Sequence, residues 1–338
     1  MELFESVNQL EESRRRTGRR KLLFGAVGLV ASYFGYRWWR DRPRPIAQRL
    51  TRYLTPTPDF YTISISPGFV PDATRESWRL EVFGLDGKRF DLTYADLLAL
   101  DRRRVIKTFA CVGNAVGGDS MANAEWTATP LAPLVRRALD APRPGLRVLF
   151  YGLDGFYSSV PLDAALDPHA FLAYEMNGAP LSLAHGFPAR VLLPNVYGMK
   201  QPRWLSKIQI DPGDASGYWE KRGWCNECSI KMTARIDAAI AQPDGTFLIT
   251  GVAYCGGRPV GAVECSFDHG ATWRPVKITS ERLPNAWATW ELPWVPEKKG
   301  EHLLLARVLS DDGARQIETY DDSFPAGATG LHRVLVSA

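Results

Sequence analysis

From about residue 232 to the C-terminus the chain is cut into short runs by turn sequences such as Pro243-Asp244-Gly245 and Ser310-Asp311-Asp312-Gly313. Runs this short, broken at regular intervals, bury their apolar faces by stacking two sheets, so this part predicts a β-sandwich over residues 231–338. Upstream the pattern changes. Residues 77–84 alternate as a half-buried strand, and Leu85-Asp86-Gly87-Lys88 reads as a hairpin-type turn. Thr93 caps a helical spacing through Leu100, and the run from Pro130 to Leu139 is a helix whose prolines fall in its first turn, where a missing N–H is harmless. Residues 146–152, 156–162 and 171–178 read as further strands. Strands and helices mix without a regular βαβ rhythm, which predicts an α+β domain over residues 61–230 rather than a doubly wound sheet. Pro43, Pro45, Pro56 and Pro58 make residues 41–60 a linker that cannot be helical throughout.

A chain of 338 residues is long enough for two domains with proper cores. Its charge is unevenly spread: residues 1–52 carry 12 Arg and Lys against 5 Asp and Glu, leaving 29 against 32 for the rest. The body therefore has no basic footprint for nucleic acid, which is excluded as a partner. Arg14-Arg15-Arg16-Thr17-Gly18-Arg19-Arg20-Lys21 precedes an apolar run from Leu22 to Tyr36. A basic region followed by an apolar one resembles a twin-arginine export signal, placed within residues 1–40. The apolar run is shorter than the ~20 residues of a full membrane span. No A-x-A cleavage site follows it, and Tyr36-Arg37-Trp38-Trp39-Arg40 suits a membrane interface. The expectation is a periplasmic protein whose signal is kept as a membrane anchor, with cleavage, or a plain anchor without export by that route, as the alternatives.

Two stretches carry the chemistry. Residues 105–110 read as a short buried strand that delivers Cys111 into a loop containing Gly113, Asn114, Gly117, Gly118 and Asp119. His185, Arg190, Lys200, Gln201 and Arg203 fall within 19 residues, with Gly186, Pro188 and Gly198 shaping the chain between them. Arginine offers a planar fork of donors matched to phosphate oxygens and lysine adds a point charge, so the cluster reads as an anion site.

The first stretch, Cys111-x-Gly113-Asn114, Gly117-Gly118-Asp119 and Asn123-Ala124-x-Trp126-x-x-x-Pro130-Leu131, resembles the cysteine loop of the sulfite oxidase family of molybdenum enzymes. The second is similar to that family's H-G-x-P-x-R block at His185–Arg190, followed by Pro194, Gly198 and Lys200-Gln201-Pro202-Arg203-Trp204. A third likeness runs from Gly251 through Val263–Trp273 to His332-Arg333-Val334 and resembles the family's immunoglobulin-like domain. The resemblance implies a molybdenum–molybdopterin cofactor with Cys111 as the protein's metal ligand. It further implies Asn114, His185, Arg190, Lys200, Gln201 and Arg203 as cofactor contacts, and oxygen-atom transfer to or from a small substrate such as sulfite. Two departures bear on the substrate. Ala115-Val116-Gly117-Gly118 carries no charge where the sulfite-oxidising members are typically arginine-bearing. Trp219-x-x-Arg222-x-Trp224 has tryptophan where the family has a tyrosine that reaches the metal oxo group, leaving Arg222 and Trp224 as the remaining catalytic candidates. An indole N–H donates a hydrogen bond but lacks a phenol's acid–base chemistry. A sulfoxide, reduced in the opposite direction, is the alternative substrate.

Cys225 and Cys228 form a C-x-x-C, and Cys255 and Cys265 flank a hairpin. After export, two disulfides, 225–228 and 255–265, are the plain expectation, with zinc or a reactive C-x-x-C as alternatives. No C-x-x-C-H haem motif occurs, so electrons would be exchanged with a separate carrier, a c-type cytochrome or a membrane redox subunit. The resemblance also allows a homodimer through the C-terminal domain. A non-catalytic exported binding protein and a zinc or thiol-redox protein built on Cys225 and Cys228 are the readings of another class.

Overall fold

The computed structural model describes residues 42–338 except 86, 140, 142, 143, 214 and 228. The export signal expected in residues 1–40, and Cys228 of the C-x-x-C, lie outside the described residues. Among the described residues no helix is long and apolar enough to cross a membrane.

From Pro45 onward the chain forms one body. Its N-terminal part holds two sheets. The first orders Arg190–Leu192, Phe171–Met176, Met121–Pro130 and Arg103–Ala110, all antiparallel. The second orders Arg89–Thr93, Arg79–Phe83, Leu205–Asp211, Arg147–Gly152 and Tyr157–Pro161, with one parallel pair between Arg79–Phe83 and Leu205–Asp211. Strand side chains alternate between faces, and this decides what surrounds the site. On the first sheet, Leu172, Tyr174 and Val191 face Leu80, Val148 and Ile208 of the second and share a core with them. Phe109, Trp126, Ala173 and Leu192 take the opposite face and pack under Phe60. Arg190 extends over the rings of Phe109 and Trp126 on that same face, and Lys107 lies over Phe109 too.

The α+β expectation is only partly met, because this part is mostly β. Its α-helices are Tyr94–Ala99, Ala132–Arg137 and Leu162–Leu166, none longer than six residues. Helices this short are marginal alone and persist by packing and capping. Thr93 and Asp96 form a reciprocal capping box on the first.

In the C-terminal part, Thr233–Ala241, Phe247–Tyr254 and Ala288–Trp294 pair in one sheet, and Val260–Ser266, Glu301–Ser310 and His332–Ser337 pair in another. Ile236, Ile249 and Trp290 from the first meet Val263, Val308 and Val334 from the second in one core. Cys255 and Cys265 lie in that core as buried free thiols, so the expected 255–265 disulfide is not formed. They behave as small apolar residues; burial pushes the Cys255 thiol up to about 12, which keeps it protonated. Residues 46–55, expected within a tether, are bonded to the body: Arg49 N donates to Asp237 O at 2.8 Å and Thr55 N to Asn123 O at 2.8 Å.

The two parts meet along the cysteine strand. Thr108 N donates to Asn285 O at 2.8 Å, and Trp287 N donates to Thr108 Oγ1 at 2.8 Å. Ala110, Val112 and Met121 pack there against Tyr197, Val252 and Tyr254.

Candidate active site

Cys111 leaves the end of its strand held by its own amide, which donates to Ser120 O at 2.9 Å. The side-chain oxygen of Asn114 accepts from Ser120 N at 3.0 Å and closes the loop. Gly117 has φ +74°, and a Cβ on it would lie 2.1 Å from the His332 ring. Only glycine meets both demands without strain. Arg235 donates to Gly118 O at 3.1 Å, and Asp119 pairs with Arg49 at 2.5 Å. The sandwich thus grips the loop that carries the cysteine. Burial pushes the Cys111 thiol up, while the amides of Gly113 and Asn114 donate to the sulfur and pull it down. Such amides favour a thiolate.

Cys111 opens onto a cavity of about 230 Å³. Gly113 and Trp224 border it beside the sulfur: a Cβ on Gly113 would sit 3.7 Å from Cys111 Sγ and 3.8 Å from the Trp224 ring. His185, Arg190 and Arg203 line it as well. Arg190 is 5% exposed, with its guanidinium 4.2 Å from the Phe109 ring centre and 5.2 Å from that of Trp126. Its Nη1 donates to His185 O at 3.1 Å, and its buried Nε has no partner among the described residues. Burial, with the Arg203 charge behind it, pulls the Arg190 guanidinium down to about 9. His185 engages Thr57 O through Nε2 at 2.9 Å, leaving a buried Nδ1 without a partner. Burial holds that imidazole below its ordinary value.

Buried polar atoms without partners are costly, and here the Arg190 Nε–H donor and the His185 Nδ1 acceptor belong to residues bordering a cavity whose other end presents a thiol held by amides. The donor set fits a cofactor that carries an anionic group and a metal able to take one thiolate. Among the described residues no three His, Cys, Asp or Glu converge as a metal site. A metal at Cys111 would draw its other ligands from the cofactor.

Residues 67–219 match the family model described as "Oxidoreductase molybdopterin binding domain". The chain is 30% identical to the mitochondrial sulfite oxidase of Rattus norvegicus, over 79% of this chain and 58% of that protein. It is also 30% identical to the sulfite oxidase of Gallus gallus, over 75% and 65% respectively. The chain belongs to the sulfite oxidase family. It spans somewhat more than half the length of the mitochondrial relatives it matches. Its fold is that of the crystal structure of the sulfane dehydrogenase SoxCD from Paracoccus pantotrophus, with a TM-score of 0.73 at 21% identity, covering 85% of this chain and 82% of that one. Membership makes this chain an oxidoreductase that uses the molybdenum cofactor.

Within this family's site the structure divides the sequence candidates. Cys111, Trp224, His185, Arg190, Gln201 and Arg203 line the cavity. Arg203 is already engaged, donating to Ala184 O at 2.5 Å and Ile63 O at 3.0 Å. Gln201 accepts from Leu193 N at 2.9 Å and donates to Val196 O at 3.0 Å, so its amide ties the loop together. Asn114 shapes the cysteine loop. Lys200 is turned elsewhere: it pairs with Glu220, both side chains 2% exposed, and donates to Ser159 O at 3.1 Å and Asn226 Oδ1 at 2.9 Å. Arg222 is exposed, with its guanidinium 3.6 Å from the Tyr218 ring centre and Nη1 bonded to Tyr218 O at 2.7 Å. Neither cation borders the cavity. Cys225, like Trp219 and Trp224, packs against the cluster that holds Ala110, Val112 and Tyr197.

Four residues escape sequence inspection. Phe60 and Tyr61 reach the cavity from the segment expected to end the linker. Asp154 brings a carboxyl to the wall, where burial pushes its pKa up. Lys107 is 3% exposed, and its Nζ has no hydrogen-bond partner among the described residues. A charge inside the apolar run Val105-Ile106-Lys107-Thr108-Phe109 was a signal for Lys107; nothing local marks Tyr61 or Asp154.

Proposed function

We propose that this chain catalyses oxygen-atom transfer at the Cys111 end of the cavity and exchanges electrons with a separate redox carrier. One observation carries the reading: a thiol held by two amides shares a cavity with Arg190 and His185, whose buried nitrogens lack partners. Molybdenum bound there supplies two-electron oxo chemistry. Cys111 would ligate it as thiolate, a coordinating thiol being deprotonated, Arg190 and Arg203 would hold the anionic end of the cofactor, and His185 Nδ1 would accept a hydrogen bond from one of the cofactor's N–H groups. Lys200 is outside this set because Glu220 already neutralises it.

The substrate end favours an uncharged sulfur compound, such as a sulfoxide, over sulfite. Trp224 and Gly113 flank the sulfur, and Arg222, stacked on Tyr218, brings no cation there. Export by the twin-arginine route with a retained anchor, an immunoglobulin-like C-terminal domain and a dimer formed through it belong to the same proposal. Their support is the N-terminal arginines and apolar run, the two sheets around one core, and the family.

The test is molybdenum content by mass spectrometry, together with sulfite-dependent dye reduction and sulfoxide-dependent oxidation of a reduced viologen, on wild type and Cys111→Ser. The expected result is near-stoichiometric molybdenum in wild type, sulfoxide turnover above sulfite turnover, and loss of both in Cys111→Ser. Full turnover in the mutant overturns the ligand; sulfite turnover above sulfoxide turnover overturns the substrate.

A further inference from the structure

Tyr61 stands in the wall of the cavity without a task. Its ring stacks on Phe60 at 5.8 Å and 7°. Phe60 is fixed in turn by edge contacts with Phe109, Trp126 and His185. The phenol is therefore held on a packed aromatic base rather than on a mobile arm. A Cβ on Gly198 would lie 3.3 Å from the Tyr61 hydroxyl, 3.6 Å from Ala110 O and 3.7 Å from the Phe109 ring. The hydroxyl thus sits in the space this glycine leaves open, next to the residue that precedes Cys111.

Among the described residues the hydroxyl makes no hydrogen bond. The other hydroxyls of the wall differ. Ser64 is bonded to Ser66 through both its oxygen and its O–H, and Thr62 is exposed. Trp224 turns a carbon edge of its ring toward Gly113 rather than a donor. A phenol ordinarily titrates near 10, so the group at this place is an O–H and a donor at physiological pH.

Resting on the oxygen-transfer reading above, we propose that Tyr61 is a further catalytic residue, donating a hydrogen bond to the substrate oxygen at the Cys111 end of the cavity. A neutral S=O group is a strong acceptor and carries no charge for a cation to recognise, so one preorganised O–H suits it. The same hydroxyl orients the substrate and strengthens its contact as negative charge grows on the oxygen, without moving a proton to or from the phenol.

Tyr61→Phe removes only the oxygen and keeps the stack on Phe60. The probe is dimethyl sulfone, which presents the same acceptor without being reduced, titrated into wild type and mutant enzyme and followed by nuclear magnetic resonance. The expected result is unchanged molybdenum content, sulfone binding weakened about tenfold, and sulfoxide kcat lowered by at least a similar factor, one hydrogen bond being worth about 1.4 kcal/mol here. Unchanged sulfone affinity with wild-type molybdenum content overturns the role of Tyr61 alone. Molybdenum content falling with the hydroxyl also overturns it, and makes Tyr61 a cofactor anchor. Wild type without molybdenum overturns the site reading on which the proposal rests.

Discussion

Arg190 and Arg235 are almost equally buried, at 5% and 7% exposure, yet they live in opposite surroundings. Arg235, on a sandwich strand, pairs with Asp237 at 2.6 Å and donates to Gly118 O at 3.1 Å. Asp237 is further bonded by the Thr51 hydroxyl at 3.2 Å. Arg190, on the cofactor side, has no carboxylate partner; it rests on two aromatic faces beside Lys107 and Arg203. A buried charge needs a partner or it raises the energy of the fold. Arg235 finds its partner within the chain and fastens the cysteine loop. Arg190 leaves its demand open toward the cavity, so its partner is the ligand. Burial alone does not separate a structural cation from a binding one; the presence of an internal counter-charge does.

The comparison breaks most visibly by exchanging each arginine for an apolar residue. Arg235→Met leaves Asp237 buried without a counter-charge, and is expected to lower stability by about 3–5 kcal/mol in chemical denaturation. Arg190→Met is expected to leave cofactor-free protein at least as stable as wild type, while molybdenum occupancy after maturation falls about tenfold or more, a charge-assisted contact being worth ~1.5–3 kcal/mol. Equal stability losses from the two changes would erase the distinction.

His332 sharpens the sandwich side of the contrast. Its Nδ1 accepts from Ile236 N at 2.9 Å, and burial, with the charges of Arg49 and Arg235 behind it, holds its pKa at about 4. The folded value lies below the unfolded one, so the unfolded state binds the extra proton first. Stability contributed by neutral His332 is therefore fully present above pH ~6.5 and is lost as pH falls toward 4, by roughly 3 kcal/mol. Denaturation midpoints measured from pH 7 to 4 should fall less steeply in His332→Gln; parallel slopes would remove His332 as the cause.

The smallest effect is expected at Lys107, the unpaired amine behind Arg190. Burial, then the Arg190 charge, pull it down to about 7. The unfolded chain binds more protons between that value and the ordinary lysine value, so stability from this group rises with pH across the window. Lys107→Met is expected to stabilise the cofactor-free protein at pH 7, and to do so by about 2 kcal/mol less at pH 9. Destabilisation at pH 7 would mean that the amine has a partner in solution.

Local chemistry was readable in advance because neighbours in the chain are neighbours in space. Cys111 with Gly117 and Gly118, the His185–Arg190 block, and the turn-punctuated C-terminal strands all speak within a few residues. They were enough to name the family and its cofactor. The proportion of helix was overread, since amphipathic spacing over six residues does not reveal how little of the domain is helical.

What tertiary structure alone decided is which charges are spent. Lys200 and Arg203 look alike in sequence, three residues apart. Glu220 reaches across 20 residues to neutralise Lys200, while Arg203 turns to the cavity wall. Cys255 and Cys265 look like a disulfide by spacing, but their strands bury them as thiols. Tyr61 reaches Cys111 across 50 positions of chain because Phe60 docks on the face shared by Phe109 and Trp126. Pairing and burial are sums over contacts between distant segments, so the sequence determined the cofactor chemistry, and the fold determined which side chains were left free to perform it.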